Sequence, residues 1–449
     1  MDIISPEPLA GFDPSSMVKN VLTTKDTRKL DHALNRFFNP KAWRIPTSIE
    51  DFSWPNSLAR ELRLSGNRIL LLTDIGIESF QTITTILDAA DISTGLASYS
   101  DIANACRKIL EKSLSACSRP ADAAEFIEQL CLYLRSEIEI RTFAVPVIGI
   151  ELQGIEDLTL GEMGLIHASL TALDARGVDY AGTEIESMIP KSPQALWLVG
   201  DAEGTRGQAE MRFREKADLM IGVIAMAAGS ICEQGALPFR IGLVMSPAEA
   251  YGRSGWLSWP KSSRKVTTHL QFIKHQNLKI DSSLREQLMD SPEVRVAINS
   301  IATEKRTELQ EAIVKALYWY AEAHRDAIPT MQLVKYWSCV ETFFSTDSEK
   351  IVHSVSVGLT AVLVFSGFGL VAVSDYASTK KKITELYKQR SKAVHRASYQ
   401  HVSTQDVAML SKYVSWMLIG LLSLVDRGYS KLVEIKQVTE RLDQQMKKA

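Results

Sequence analysis

A predominantly helical α+β fold is what this sequence predicts, and three observations predict it. Across residues 285–449 apolar residues recur at helical spacing with few interruptions, Pro329 being the clearest. Residues 141–284 instead carry short β-branched or aromatic runs bounded by Gly, Pro and Asp, as strands do. Residues 1–140 are again helix-like, with Pro40, Pro46 and Pro55 punctuating a loop rich in Trp and Phe. The expected architecture is a helical N-terminal region (1–140), a small mixed α/β or β-rich middle domain that serves as a sensor (141–284), and an antiparallel helical bundle (285–449). A chain of 449 residues is about three times the prior of roughly 150 residues per domain, which agrees with that division.

In the first region, the run from Ser98 onward places Ile102, Ala105, Ile109, Leu110 and Leu114 at helical spacing, with a serine or aspartate ready to cap its start. Residues 121–140 repeat the pattern. The apolar run at 67–76 fits a strand or a buried helical piece equally well. In the middle region, residues 142–154, 194–201, 239–246 and 265–275 read as strands. Residues 207–230 between them read as a helix, with Gly229 near its end as the expected stop signal. In the last region, Leu309, Ile313, Leu317 and Tyr320 share one helix face. Pro329 breaks the chain before the next helix, and Gly428 is the expected C-cap of the helix beginning near Thr404. Residues 431–449 form a final amphipathic helix through Leu432, Ile435, Val438 and Leu442, expected to dock on its own bundle.

Composition excludes several classes. Apolar residues make up 45% and charged residues 23%, with a formal net charge of −2, so the chain is no polycation. Any polyanion must be met by a local patch. Five cysteines, at 106, 117, 131, 232 and 339, are odd in number and form no CxxC or zinc-like cluster, as expected of reduced thiols in the cytoplasm. The N-terminus lacks the basic start and apolar core of a signal peptide. Residues 355–374 carry no charge and approach the length of a membrane span. They contain three glycines with several Ser and Thr, and the expectation is a core helix with no membrane partner.

The chemistry concentrates at residues 386–398. Lys380, Lys381, Lys382, Lys388, Arg390, Lys392 and Arg396 crowd one segment against a single acid, Glu385. A charge run of this kind is ordinarily a solvated helix face. Here Ile383, Leu386, Tyr387 and Val394 interleave the charges, so one side is anchored in a core. Within the run Arg390 precedes His395 by five residues. A guanidinium offers a permanent planar fork of donors to phosphate oxygens. An imidazole both takes and gives a proton near neutrality. On an ideal helix five residues turn through about 140°. The two side chains therefore share a site only if the helix ends or bends between them, or if the site is assembled from two copies.

Tyr336 and Trp337, leading to Val340, Glu341, Thr342, Phe343, Phe344 and Ser345, together with Leu386, Tyr387, Arg390, Ser391, Val394 and His395, resemble the aromatic helix and the Arg-x4-6-His motif of Apea-like HEPN ribonucleases. The resemblance covers residues 300–430. It implies a HEPN-like bundle in which Arg390 and His395 of two protomers face one another and cleave RNA without a metal or other cofactor. It further implies supporting or RNA-binding roles for Ser391, Tyr387, Lys392, Arg396 and Lys388, a homodimer or higher oligomer, and a toxin or abortive-infection role answering a phage-derived or small-molecule trigger. One departure stands out: Arg396 follows the His where family members commonly have Gly. That leaves a non-catalytic HEPN module binding RNA, nucleotide or a partner protein as the alternative.

Other motifs carry less. The glycines at 200–208 match neither GxGxxG nor GxxxxGK[ST], and an ordinary loop is expected there. His32, His167, His269, His275, His324, His353 and His401 form no HxxxH or HExxH pair and are expected as surface or core histidines. There is no Gly-x-Ser-x-Gly elbow, nor a DxD-type cluster for magnesium.

Overall fold

Short side chains that accept backbone N–H groups set many of the helix starts. The computed structural model describes residues 22–47, 60–178, 195–231, 239–244, 253–258, 267–272, 277–345, 351–395 and 402–448, without the side chains of 231, 253–258, 267–272, 394 and 395. The described chain is predominantly helical α+β, with fourteen α-helices and four small sheets. It divides into two compact units, residues 1–141 with 201–212, and residues 142–200 with 213–449.

The first unit holds helices α1 (Thr24–Phe37), α2 (Asp74–Ala89), α3 (Tyr99–Ser115) and α4 (Ala123–Glu137). Thr23, Thr73, Ser98 and Asp122 cap their starts, and Ser98 with Asp101 completes a reciprocal capping box. A sheet not anticipated in this region lies between α1 and α2 in sequence: β1 (Trp43–Arg44), β2 (Glu61–Leu64) and β3 (Arg68–Leu72), antiparallel in the order β1-β3-β2. The ambiguous apolar run is therefore the strand β3. Leu30, Phe37, Leu62, Leu72, Ile83, Leu87 and Phe126 fill the core. Each large apolar side chain removed from water contributes about 1.5–3 kcal/mol before entropy is counted.

The chain leaves and re-enters this unit through β4 (Glu139–Ile148) and β8 (Leu196–Gly204). With β6 (Asp157–Leu160), β7 (Met163–His167) and β9 (Gly242–Leu243) they form a five-stranded sheet, β6-β7-β8-β4-β9. Between β7 and β8 lies a short helix, α5 (Leu170–Asp174). The strand β5 (Ile150–Leu152) pairs in parallel with β12 (Leu278–Ile280), and β10 (Arg253–Ser258) pairs antiparallel with β11 (Thr267–Phe272). The helix α6 (Arg206–Ile231) runs past Gly229, which is not its stop. A Cβ on Gly229 would stand 2.6 Å from the Tyr320 hydroxyl, so that glycine is required by close packing. The glycine-rich stretch at 200–208 is likewise not a loop: it is the end of β8 and the start of α6.

The remaining helices are α7 (Ser282–Asp290), α8 (Pro292–Ala302), α9 (Glu308–Arg325), α10 (Pro329–Phe344), α11 (Ile351–Phe365), α12 (Tyr376–His395), α13 (Thr404–Asp426) and α14 (Leu432–Met446). Pro329 is the first residue of α10, where its missing N–H costs nothing. α10 packs against α9, α11, α12, α13 and α14, and α14 also docks on α11. Leu309, Ile313, Leu317 and Tyr320 are fully buried, as their spacing predicts. Gly428, at φ +89°, ends α13: its N–H reaches Val425 O at 2.9 Å and that of Tyr429 reaches Leu424 O at 3.1 Å.

The uncharged segment at 355–374 does not form one long helix. α11 ends at Phe365, and ten consecutive residues, 355–364, are buried around its whole circumference. Gly358 lets α10 approach, since a Cβ there would lie 2.2 Å from Phe344 Cδ1. Among the described residues, α13 is the helix long and apolar enough to cross a membrane, and 67% of its apolar window is buried within the protein.

Candidate functional site

α12 runs unbroken from Tyr376 to His395, so the helix does not end between Arg390 and His395. Their backbone positions lie about 140° apart around its axis. The His395 side chain and the whole of Arg396 fall outside the described residues. Arg390 belongs to the buried face of α12, with Ile383, Leu386 and Tyr387.

There it meets α10. Arg390 Nη2 donates to Glu341 Oε2 at 2.9 Å, and the Tyr387 hydroxyl donates to Glu341 Oε1 at 2.6 Å. Both charged side chains are largely covered, Arg390 at 20% and Glu341 at 19% exposure. Tyr387 stands edge-on to Trp337, with centroids 4.9 Å apart, and its ring lies 5.7 Å from the Arg390 guanidinium carbon. Burial, then the hydrogen bond it donates to Glu341, push the Tyr387 phenol well above its ordinary range, so it stays a donor. The Arg390 Nε is buried and finds no acceptor among the described residues. Gln389 Nε2 reaches Asp406 Oδ2 at 3.2 Å, tying α12 to the start of α13. Ser391 is half-buried beside this seam.

The basic run separates by face. Lys381, Lys388 and Lys392 are exposed and sit at intervals of seven and four residues, within about 40° of one another and spanning about 16 Å of helix. Lys382 is exposed about 100° round the helix from Lys381, and Glu385 shares the stripe of the other three. Lys380 is not available to this patch. Its ammonium is bound by Asp443 of α14, which also accepts from Tyr376 at 2.9 Å and pairs with Lys447 at 2.7 Å. Burial opposes ionisation of Asp443, yet the hydrogen bonds from Lys380, Lys447 and Tyr376 prevail and lower its carboxyl to about 2. Sequence reasoning missed this anchor. The signal was an acid eight residues after Ile435 and four after Thr439, on the buried face of an amphipathic helix.

Of the remaining histidines, His324 is a core residue. It is fully buried and stacked on Phe239 at 4.5 Å. Its Nδ1 lies 3.1 Å from the Phe239 carbonyl, and because a carbonyl only accepts, Nδ1 carries the proton. Nε2 is then free to accept from Ser411 Oγ at 3.3 Å. Desolvation pushes this imidazole down to about 4. Among the described residues no group of three or more His, Cys, Asp or Glu side chains is placed to hold a metal ion.

The seam thus offers, on one face of α12, a guanidinium aimed by a carboxylate that a neighbouring phenol also binds, and an exposed lysine stripe on another. No protein-family model, curated protein or solved structure matches the chain.

Proposed function

We propose that the C-terminal helical bundle is a metal-independent endoribonuclease of HEPN type, acting in the cytoplasm as a dimer. The observation that carries the proposal is the seam itself: Arg390, held by Glu341 of α10, which also accepts from Tyr387, lies on the same unbroken helix that ends at His395. Because the two residues are about 140° apart, a working pair draws Arg390 and His395 from two copies of α12. The ribose 2′-OH would attack the adjacent phosphorus, giving up its proton as the bond to the 5′ oxygen breaks and that oxygen is protonated. His395 serves as general base or acid, a role typically worth about 10²–10⁴ in rate. Arg390 stabilises charge on the non-bridging oxygens. Lys388 and Lys392 supply backbone contacts, with Ser391, Tyr387 and Arg396 in support. DNA lacks the attacking hydroxyl and is spared. A toxin or abortive-infection role, with a phage-derived or small-molecule trigger, belongs to the same proposal and rests on the motif resemblance.

A second reading has its own observation. The Glu341 carboxylate neutralises Arg390 inside the protomer, as a purely structural ion pair does. On that reading the bundle binds RNA, nucleotide or a protein without cutting. Labelled RNA incubated in EDTA with wild type, Arg390→Ala and His395→Ala separates the two. Cutting by wild type that is lost in both variants supports the nuclease. Retained binding with no cutting by wild type supports the module.

A further inference from the structure

A cleft in the first unit has walls of unusual chemistry. It encloses about 680 Å³, inside the range of roughly 300–1,000 Å³ that small-molecule sites occupy. Two half-buried aromatic residues, Phe38 and Trp43, line it together with aliphatic side chains. Ile45 at its edge is 68% exposed, a large apolar side chain left facing water. Among the described residues its charged lining is Arg68 and Arg119, with no carboxylate.

Among the described residues neither guanidinium is paired with an acid. Arg68 Nε donates to the Ser65 carbonyl at 3.4 Å, and Arg119 Nη1 to the Asn35 side-chain oxygen at 3.1 Å, both neutral acceptors. Elsewhere in this unit arginines find carboxylates: Arg36 with Glu78, Arg60 with Asp74 and Arg63 with Glu61. A second cleft of about 420 Å³ in the same unit mixes Arg63, Arg107 and Lys108 with Glu61, Asp101 and Glu111, so its charges offset one another. Only the larger of these two clefts joins an apolar lining to uncompensated positive charge. That combination complements an anion carried on an apolar body, because the body gains from leaving water while the acid group stays at the guanidinium-lined mouth.

We propose that this cleft binds a small molecule with a flat apolar body and an acidic group, the aromatic rings of Phe38 and Trp43 packing on the body and Arg68 and Arg119 holding the acid. Cys117 provides a reporter. Its thiol is exposed in the cleft lining, whereas Cys106, Cys131 and Cys339 are buried.

The test uses the full chain and anilinonaphthalene sulfonate, a flat aromatic anion whose fluorescence rises on leaving water. The expected result is one saturable site per chain, with slower alkylation of Cys117 by N-ethylmaleimide when the probe is bound, read on the Cys117 peptide by mass. The Arg68→Glu/Arg119→Glu variant, with an unchanged thermal unfolding midpoint, should bind the probe about tenfold more weakly, as two exposed charge contacts warrant. It should bind uncharged phenylnaphthylamine as well as wild type does. Equal affinity for the sulfonate in both proteins, or Cys117 alkylation unaffected by the probe, would overturn the proposal. RNA cleavage is not the readout, so the outcome is independent of the bundle's activity.

Discussion

Arg390 Nη2 lies 2.9 Å from Glu341 Oε2, joining α12 to α10 across 49 residues of sequence. The guanidinium expected to meet phosphate is thus already oriented by a carboxylate of its own bundle. Glu341→Ala leaves Arg390 and the Tyr387 hydroxyl without their acceptor in a mostly buried seam. It should cost about 2–4 kcal/mol, read by urea denaturation. Glu341→Gln keeps an acceptor for Tyr387 and should cost less than the alanine variant. An alanine variant as stable as wild type would show that the seam does not depend on this pair.

The lysine stripe predicts a salt dependence. If Lys381, Lys388 and Lys392 each meet one phosphate, replacing all three by Gln removes about two units from the slope of log affinity against log salt for single-stranded RNA. Filter binding at several salt concentrations measures it. An unchanged slope would leave the stripe as a solvated face.

His324 predicts how folding stability responds to acid. Its pKa is about 4 in the fold and about 6.5 in the unfolded chain. Below the unfolded value the unfolded state binds the extra proton first. Stability is therefore lost as pH falls from about 6.5 to about 4, at up to about 1.4 kcal/mol per unit from this group. Urea midpoints of wild type and His324→Gln at pH 7 and pH 5 test it. The variant should start less stable and lose less between the two. Parallel losses would assign the acid sensitivity to other groups.

Asp443 fixes the last helix. Asp443→Ala strips the acceptor from Tyr376, Lys380 and Lys447 at once and should destabilise by about 2–4 kcal/mol. Hydrogen exchange should show α14 losing protection before α10. Uniform loss across the bundle would mean that α14 is not held separately by this anchor.

Gly358→Ala drives a methyl group into the Phe344 ring, whose Cδ1 lies 2.2 Å from the added carbon's position. Overpacking of this kind costs about 1–3 kcal/mol, and a lowered thermal midpoint is the expected reading.

Features that depend on near neighbours in the chain were legible in advance. The capping of α3 by Ser98, the buried face of α9 and the turn at Gly428 are all written within a few residues. Features that depend on what arrives from far away were not. Gly229 resembles a helix stop locally, but the Tyr320 hydroxyl behind it makes it a packing glycine. The strand β3 was ambiguous because five apolar or basic residues suit either a strand or a buried turn of helix until β1 and β2 pair with them. Lys380 reads locally as part of a basic patch for a polyanion, and Asp443, 63 residues later, removes it.

The same division holds at the candidate site. The sequence by itself determined that a basic, amphipathic helix carries Arg390 and His395, since residue order and a 3.6-residue repeat suffice for that. Only the tertiary structure decided that Arg390 turns inward to Glu341 and Tyr387 while Lys381, Lys388 and Lys392 remain in water. A helix's periodicity fixes the angles between its side chains. Which of those angles faces a carboxylate is set by the helix packed against it.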